Sequence, residues 1–111
     1  MEHTNEFEKE FRKGDSGPKY LFIGPRLDLG VIVLKPGEGM GGHYHNEVEE
    51  TFYFPEGGVV ININGNDIET KNGDIFRLEP NDTHKIQNNT QKTIKIIFIK
   101  TPSIPTDKVS I

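Results

Sequence analysis

Four side chains carry the chemistry this sequence offers. His43 and His45 stand one residue apart in G-G-H-Y-H-N-E-V-E-E, Glu50 closes that stretch, and His84 comes later in P-N-D-T-H-K-I-Q-N. Three imidazoles are borderline-soft nitrogen donors and a glutamate adds negative charge, a combination suited to one divalent transition metal: iron, manganese, nickel or zinc. Such a set leaves two adjacent positions open on an octahedral ion, room for water, a chelating substrate, or a substrate with dioxygen. Iron(II) would permit oxygen activation, whereas the other ions suit Lewis-acid chemistry on a hydroxy-carbonyl compound. An isomerase also needs a base that moves a proton. No residue of the sequence is placed for that task, so no catalytic residue is named and no organic cofactor is expected.

The elements that must position these groups are strands. Tyr20 to Ile23, Leu27 to Leu34, Val59 to Ile63, Asp67 to Thr70, Ile75 to Leu78 and Ile94 to Ile99 are short apolar or alternating runs, separated by turns rich in Gly, Pro and Asn. Asn64-Gly65 is a strong hairpin signal. This pattern predicts an all-β barrel or sandwich. His43 and His45 share one strand face and Tyr44 the other. Glu50 lies an odd number of residues beyond His45, so a turn or bulge within residues 46–49 is needed to bring it to the same side. Beyond it Phe52 and Phe54 keep its parity. Residues 2–13 are charged around Phe7 and Phe11, giving a short amphipathic helix or an extended arm. The predicted organisation is an N-terminal arm or short helix over 1–19, a β domain over 20–100 and an extended tail over 101–111.

Composition limits the function classes. The chain has 111 residues, 13 Lys and Arg against 17 Asp and Glu, a formal charge of -4 and no cysteine. One domain and one core are expected. A basic face for nucleic acid is not, and neither disulfides nor thiolate chemistry is available. No apolar run reaches membrane length. The N-terminus lacks the basic-then-apolar plan of a secretion signal, so the expected location is the cytoplasm. Ile94, Ile96 and Phe98 fill the inside while Ile97 and Ile99 face out, an apolar outer face that predicts a homodimer.

Taken in order, these residues resemble the cupin superfamily. Its first motif is a glycine, five residues, H-x-H, three or four residues, a glutamate, six residues and a glycine; Gly37, His43, His45, Glu50 and Gly57 match it. Its second is a glycine, five residues, P-x-G, two residues, a histidine, three residues and an asparagine. Gly73, His84 and Asn88 match, while Glu79 and Asn81 stand where the family has proline and glycine. Asn tolerates positive φ, so the turn can survive the change. The resemblance, covering Leu27 to Phe98, implies a double-stranded β-helix (jelly-roll) barrel with a metal in its mouth. It implies no single activity, because one fold carries many chemistries.

Met40, Phe52, Phe54, Phe76, Ile86 and Phe98 are the candidate pocket walls, although each also serves as plain core. Asn88 reads as a turn cap, Glu79 as a charged loop residue, and Arg77 as outward-facing. Arg26 sits beside a turn that leaves its direction open. The function expected is a metal-dependent enzyme acting on a small oxygen-rich organic molecule, by oxygenation (a dioxygenase) or isomerisation. The alternative is a non-enzymatic module that binds a metal or a small-molecule ligand.

Overall fold

The computed structural model describes residues 1–12 and 14–111. Among the described residues ten strands follow one short 3-10 turn at Glu6–Glu8: β1 (Gly17–Ile23), β2 (Asp28–Leu34), β3 (Gly39–Tyr44), β4 (Glu49–Phe54), β5 (Val60–Ile63), β6 (Asn66–Glu69), β7 (Asp74–Leu78), β8 (His84–Gln87), β9 (Ile94–Thr101) and β10 (Val109–Ser110). They form two five-stranded antiparallel sheets, ordered β1-β2-β9-β4-β7 and β10-β3-β8-β5-β6. The chain passes back and forth between the sheets, the alternation of a double-stranded β-helix.

The sheets do not close on one another, which corrects the barrel expected from the sequence. β1 and β7 end the first sheet, and β10 and β6 end the second. The reason is local. Most strand-to-strand passages run from one sheet to the other through turns of Gly, Pro and Asn, and these turns carry no continuous ladder across the gap. The sheets are held together by side chains, as in a sandwich.

Alternation supplies those side chains. Ile94, Ile96 and Phe98 of β9, Ile32 and Leu34 of β2, and Phe52 and Phe54 of β4 all point inward and meet Ile61 and Ile86 of the second sheet. The inner face also explains a glycine. A Cβ on Gly30 would lie 2.3 Å from Phe98 Cζ and 2.6 Å from the Lys19 carbonyl oxygen, so only glycine admits the Phe98 ring here. The β5–β6 hairpin turns on Asn64 (φ 51) and Gly65 (φ 88), both left-handed, as a two-residue type I′ turn requires.

The N-terminal segment is an arm rather than an α-helix. Beyond the 3-10 turn, capped by Asn5, it lies on the outer face of the first sheet. Lys19 Nζ donates to the carbonyls of Glu6 and Lys9 at 2.9 and 3.2 Å, and Lys95 meets the Glu6 carboxylate at 2.7 Å. Val31, the rung partner of Lys19, is buried although it faces outward. Farther along the same face Tyr53, Ile75 and Ile99 remain exposed.

Asn88 does more than cap a turn. It is fully buried, and its Nδ2 donates to the carbonyls of Leu34 and Lys92, each at 2.8 Å, while its Oδ1 accepts from Thr90. It ties the end of β2 to the turn before β9. Asn88→Ala would orphan those buried carbonyls, at about 1–3 kcal/mol for an unsatisfied group. Urea denaturation is expected to show a loss of that order with the slope unchanged.

Candidate metal centre

The four residues singled out by type come together from both sheets. His43 on β3 and His84 on β8 are rung partners in the second sheet, so their side chains rise side by side from one face. Glu50, the second residue of β4, belongs to the first sheet and points at them across the gap. The connection from His45 to β4 bends at Asn46 and Glu47, the turn expected within residues 46–49, and it carries the chain from one sheet to the other. Strand parity is reset when the chain changes sheet.

One ligand atom from each of His43, His45, Glu50 and His84 lies within 4.8 Å of the others, and all four residues are buried. His45 Nε2 is 3.0 Å and His84 Nε2 3.2 Å from Glu50 Oε1, and the Nε2 atoms of His43 and His84 are 3.0 Å apart. The opposite ring nitrogens are all engaged. Nδ1 of His43 donates to the Gly41 carbonyl at 3.1 Å, Nδ1 of His84 to the Asp82 carbonyl at 3.1 Å, and Nδ1 of His45 to the Asp107 carbonyl. A carbonyl only accepts, so each ring carries its proton on Nδ1. The neutral tautomer then turns three Nε2 lone pairs and a carboxylate oxygen toward one point. Acceptors at that spacing repel unless a cation or a shared proton sits among them. The residues therefore fit a single transition-metal ion, whose identity they leave open.

The turns around the ligands are specialised for this convergence. Asn81, in the place of a motif glycine, adopts φ 74, and its N–H donates to the His45 carbonyl at 2.7 Å. The Asp107 carboxylate accepts from the backbone N–H groups of Asn46, Glu47 and Val48 at 2.7–2.9 Å. It thus holds the passage between His45 and Glu50. No sequence signal marked Asp107, because its role depends on β10 pairing beside His43 and Tyr44.

Electrostatics follow from burial and contact. Desolvation holds the His43 imidazole down at about 4, assisted by repulsion from His84. Burial pushes the Glu50 carboxyl up, but the adjacent His45 and His84 rings, which donate from Nε2 only when doubly protonated, and the nearby Lys100 charge outweigh it and bring the group to about 2. Burial also works against protonation of His45, yet its bonds to Glu50 and Asp107 leave it raised.

A cleft of about 150 Å³ opens onto His43, Glu50 and His84. Of the expected walls, Met40, Phe52, Ile86 and Phe98 line it, joined by Ile32 and Tyr20. Phe54 and Phe76 do not; they meet edge to face in the core, centroids 5.8 Å apart. Parity alone misplaced Phe54, since four residues along a strand from Glu50 span about 13 Å. His45 does not line the cleft. Arg77 is exposed and turned outward, and Arg26 and Glu79 are exposed and away from the cleft. Lys100 lines the cleft and was missed, although it continues the inward parity of Ile94, Ile96 and Phe98. Among the described residues, no helix is long and apolar enough to cross a membrane.

Residues 30–100 match the cupin domain family. The chain belongs to the cupin superfamily. It is 29% identical over 77 residues to TcmJ, a tetracenomycin polyketide synthase protein of Streptomyces glaucescens, covering 69% of this chain and 52% of that one. This cupin thus spans about half the length of that relative. Among solved structures it resembles a Klebsiella pneumoniae protein with a double-stranded β-helix domain (TM-score 0.82, 18% identity, 99% and 96% of the two chains). It also resembles a sugar phosphate isomerase of the cupin superfamily from Silicibacter pomeroyi (TM-score 0.73, 21% identity, 86% and 66%). At these identities the structural likenesses speak for the fold.

His84→Ala removes one donor and leaves the core intact. Zinc affinity measured by calorimetry is expected to fall by more than the roughly 10–100-fold cost of losing an outer-sphere partner, with the β-sheet circular dichroism unchanged. An unfolded variant would mean that the histidine serves the fold instead. The metal-free protein should also be acid-sensitive. His43 is depressed from 6.5 to about 4, so its contribution is complete above pH 6.5 and is lost as pH falls toward 4. That of Glu50, depressed from 4.5 to about 2, is lost as pH falls below 4.5 toward 2. Raised His45 acts oppositely, its contribution disappearing at high pH. Thermal melts of metal-free protein are expected to show Tm falling from pH 6.5 to 4. In Glu50→Gln the further loss below pH 4.5 should be smaller, with the share due to the depressed Asp107 carboxyl remaining.

Proposed function

We propose that this cupin is a metal-dependent enzyme acting on a small oxygen-rich organic molecule. The observation that carries the reading is the cleft itself, which reaches three of the four clustered side chains and so leaves one side of the site open to a ligand. A bound divalent ion supplies Lewis acidity, or a redox centre if it is iron. The chain's own residues do the rest. His43, His45, Glu50 and His84 fix the geometry. Ile32, Met40, Phe52, Ile86 and Phe98 make an apolar wall that excludes water and strengthens polar contacts inside. A cleft of this size takes a molecule of only a few heavy atoms, or the reacting end of a larger one. The likeness to a polyketide synthase protein agrees with an oxygen-rich substrate, since polyketides are rich in carbonyl oxygen.

Isomerisation and oxygenation remain the two routes such a site supports, and one experiment separates them. Protein loaded in turn with iron(II), manganese, nickel and zinc is incubated with small α-hydroxy-ketones in D₂O. Deuterium entering the carbon next to the carbonyl identifies proton transfer. Oxygen uptake with iron alone identifies oxygenation. Neither signal with any metal would leave a binding module as the surviving reading.

A further inference from the structure

The cleft carries a charge pattern that the metal cluster does not require. Among the described residues four cationic ones line it, Arg12, Lys85, Lys100 and Lys108, against a single acidic residue, Glu50. Three of the four are exposed at the rim. Lys100 is different. It is half-buried, it occupies the inward position opposite Glu50 on β4, and Asp28 of β2 is its other rung partner. Among the described residues no carboxylate lies within ion-pair distance of its ammonium. Instead Lys100 Nζ donates to the Tyr20 hydroxyl at 2.7 Å, and it stands over the rings of Tyr20 and Phe98 at 5.3 and 5.5 Å from their centroids. Those rings are themselves locked edge to face, centroids 5.2 Å apart.

The direction of that hydrogen bond matters. An ammonium has only donors, so the Tyr20 oxygen must accept. The phenolic proton is thereby free for a further partner. Lysine and tyrosine from β9 and β1 then present two kinds of donor, one charged, in the cleft that His43, Glu50 and His84 also line. A half-buried ammonium that feels the Glu50 charge but makes no ion pair with it is incompletely compensated, and the aromatic faces offset only part of that. An anionic oxygen arriving in the cleft would satisfy both the ammonium and the phenol.

Resting on the metal-site reading above, we infer that the cleft is selective for a small anion, a carboxylate or phosphate ester that also carries a hydroxyl or carbonyl oxygen, held by Lys100 and Tyr20 while its other oxygens face the metal. Lys100 and Tyr20 are binding residues, and the exposed rim cations Arg12, Lys85 and Lys108 draw the anion in.

The test uses zinc, which has no redox chemistry. Zinc-loaded protein is titrated calorimetrically with glycolate and with its neutral isostere glycolamide. Glycolate is expected to bind more tightly. Lys100→Met should lower glycolate affinity by about tenfold to a hundredfold, the range for a hydrogen bond to a charged group, with little effect on glycolamide and no loss of zinc affinity. Lys100→Arg should recover much of the affinity, and Tyr20→Phe should lose a smaller share. If Lys100→Met does not fold, Lys100→Gln gives the same reading. A preference for glycolate that survives in the Lys100 variants would assign it to the metal charge and overturn the proposal. If the wild-type protein fails to hold zinc, the metal reading fails separately. Inorganic phosphate titrated into metal-free protein then decides: binding lost on Lys100 substitution supports the anchor, and equal binding overturns it.

Discussion

Three imidazole nitrogens and one carboxylate oxygen aimed at a common point are unstable unless something positive sits between them, and much of the structure around them is arranged to keep them there. Each ring is fixed from behind by a backbone carbonyl, so none can turn its lone pair away by exchanging tautomers. The carbonyls come from Gly41, Asp82 and Asp107, three separate segments. The price of convergence is thus spread over a wide area of the molecule. This is the mark of a site assembled by the fold, and it distinguishes the cluster from a chance gathering of polar side chains.

The two-sheet architecture gives the cluster a second meaning. His43 and His84 are neighbours in one sheet, while Glu50 belongs to the other. A cation shared among them would span the gap at the open end, where the apolar core no longer bridges it. At the closed end Phe54, Ile61, Ile94 and Ile96 do the bridging. The fold therefore divides its work along the strands, with dispersion and apolar burial at one end and ligation at the other. Gly30 and Phe98 lie on the boundary: the missing Cβ of one makes space for the ring of the other, and that ring is both core and cleft wall.

The ligand set could be read from the chain because donor chemistry restricts which residues can take part. Inward parity was also legible, since alternation is local. What escaped was whatever depends on distance along a strand or on contacts between remote segments. Phe54 has the parity of a wall residue but sits too far from the metal end. Lys100 has the same inward parity as Phe98, yet the strand was read only as far as Ile99, and a charged residue at its end was not counted among the cleft walls. Asp107 is one of many acids in the sequence, and only the pairing of β10 with β3 brings it beneath the passage to Glu50. The expected barrel failed for a related reason: alternation shows which way a side chain points, and closure depends on whether edge strands meet. The glycine missing from the second motif, by contrast, was replaced in kind, because Asn81 adopts the left-handed backbone that glycine would have taken.

Asp107 also sets an order of events. Its carbonyl orients His45, and its carboxylate gathers three amides from the stretch leading to Glu50. On a ribosome the histidines and the glutamate emerge well before it. His43 and His84 are held by carbonyls two residues before them, so sheets that have already stacked leave one corner of the cage loose, and the His45 ring settles only when this late-arriving aspartate docks.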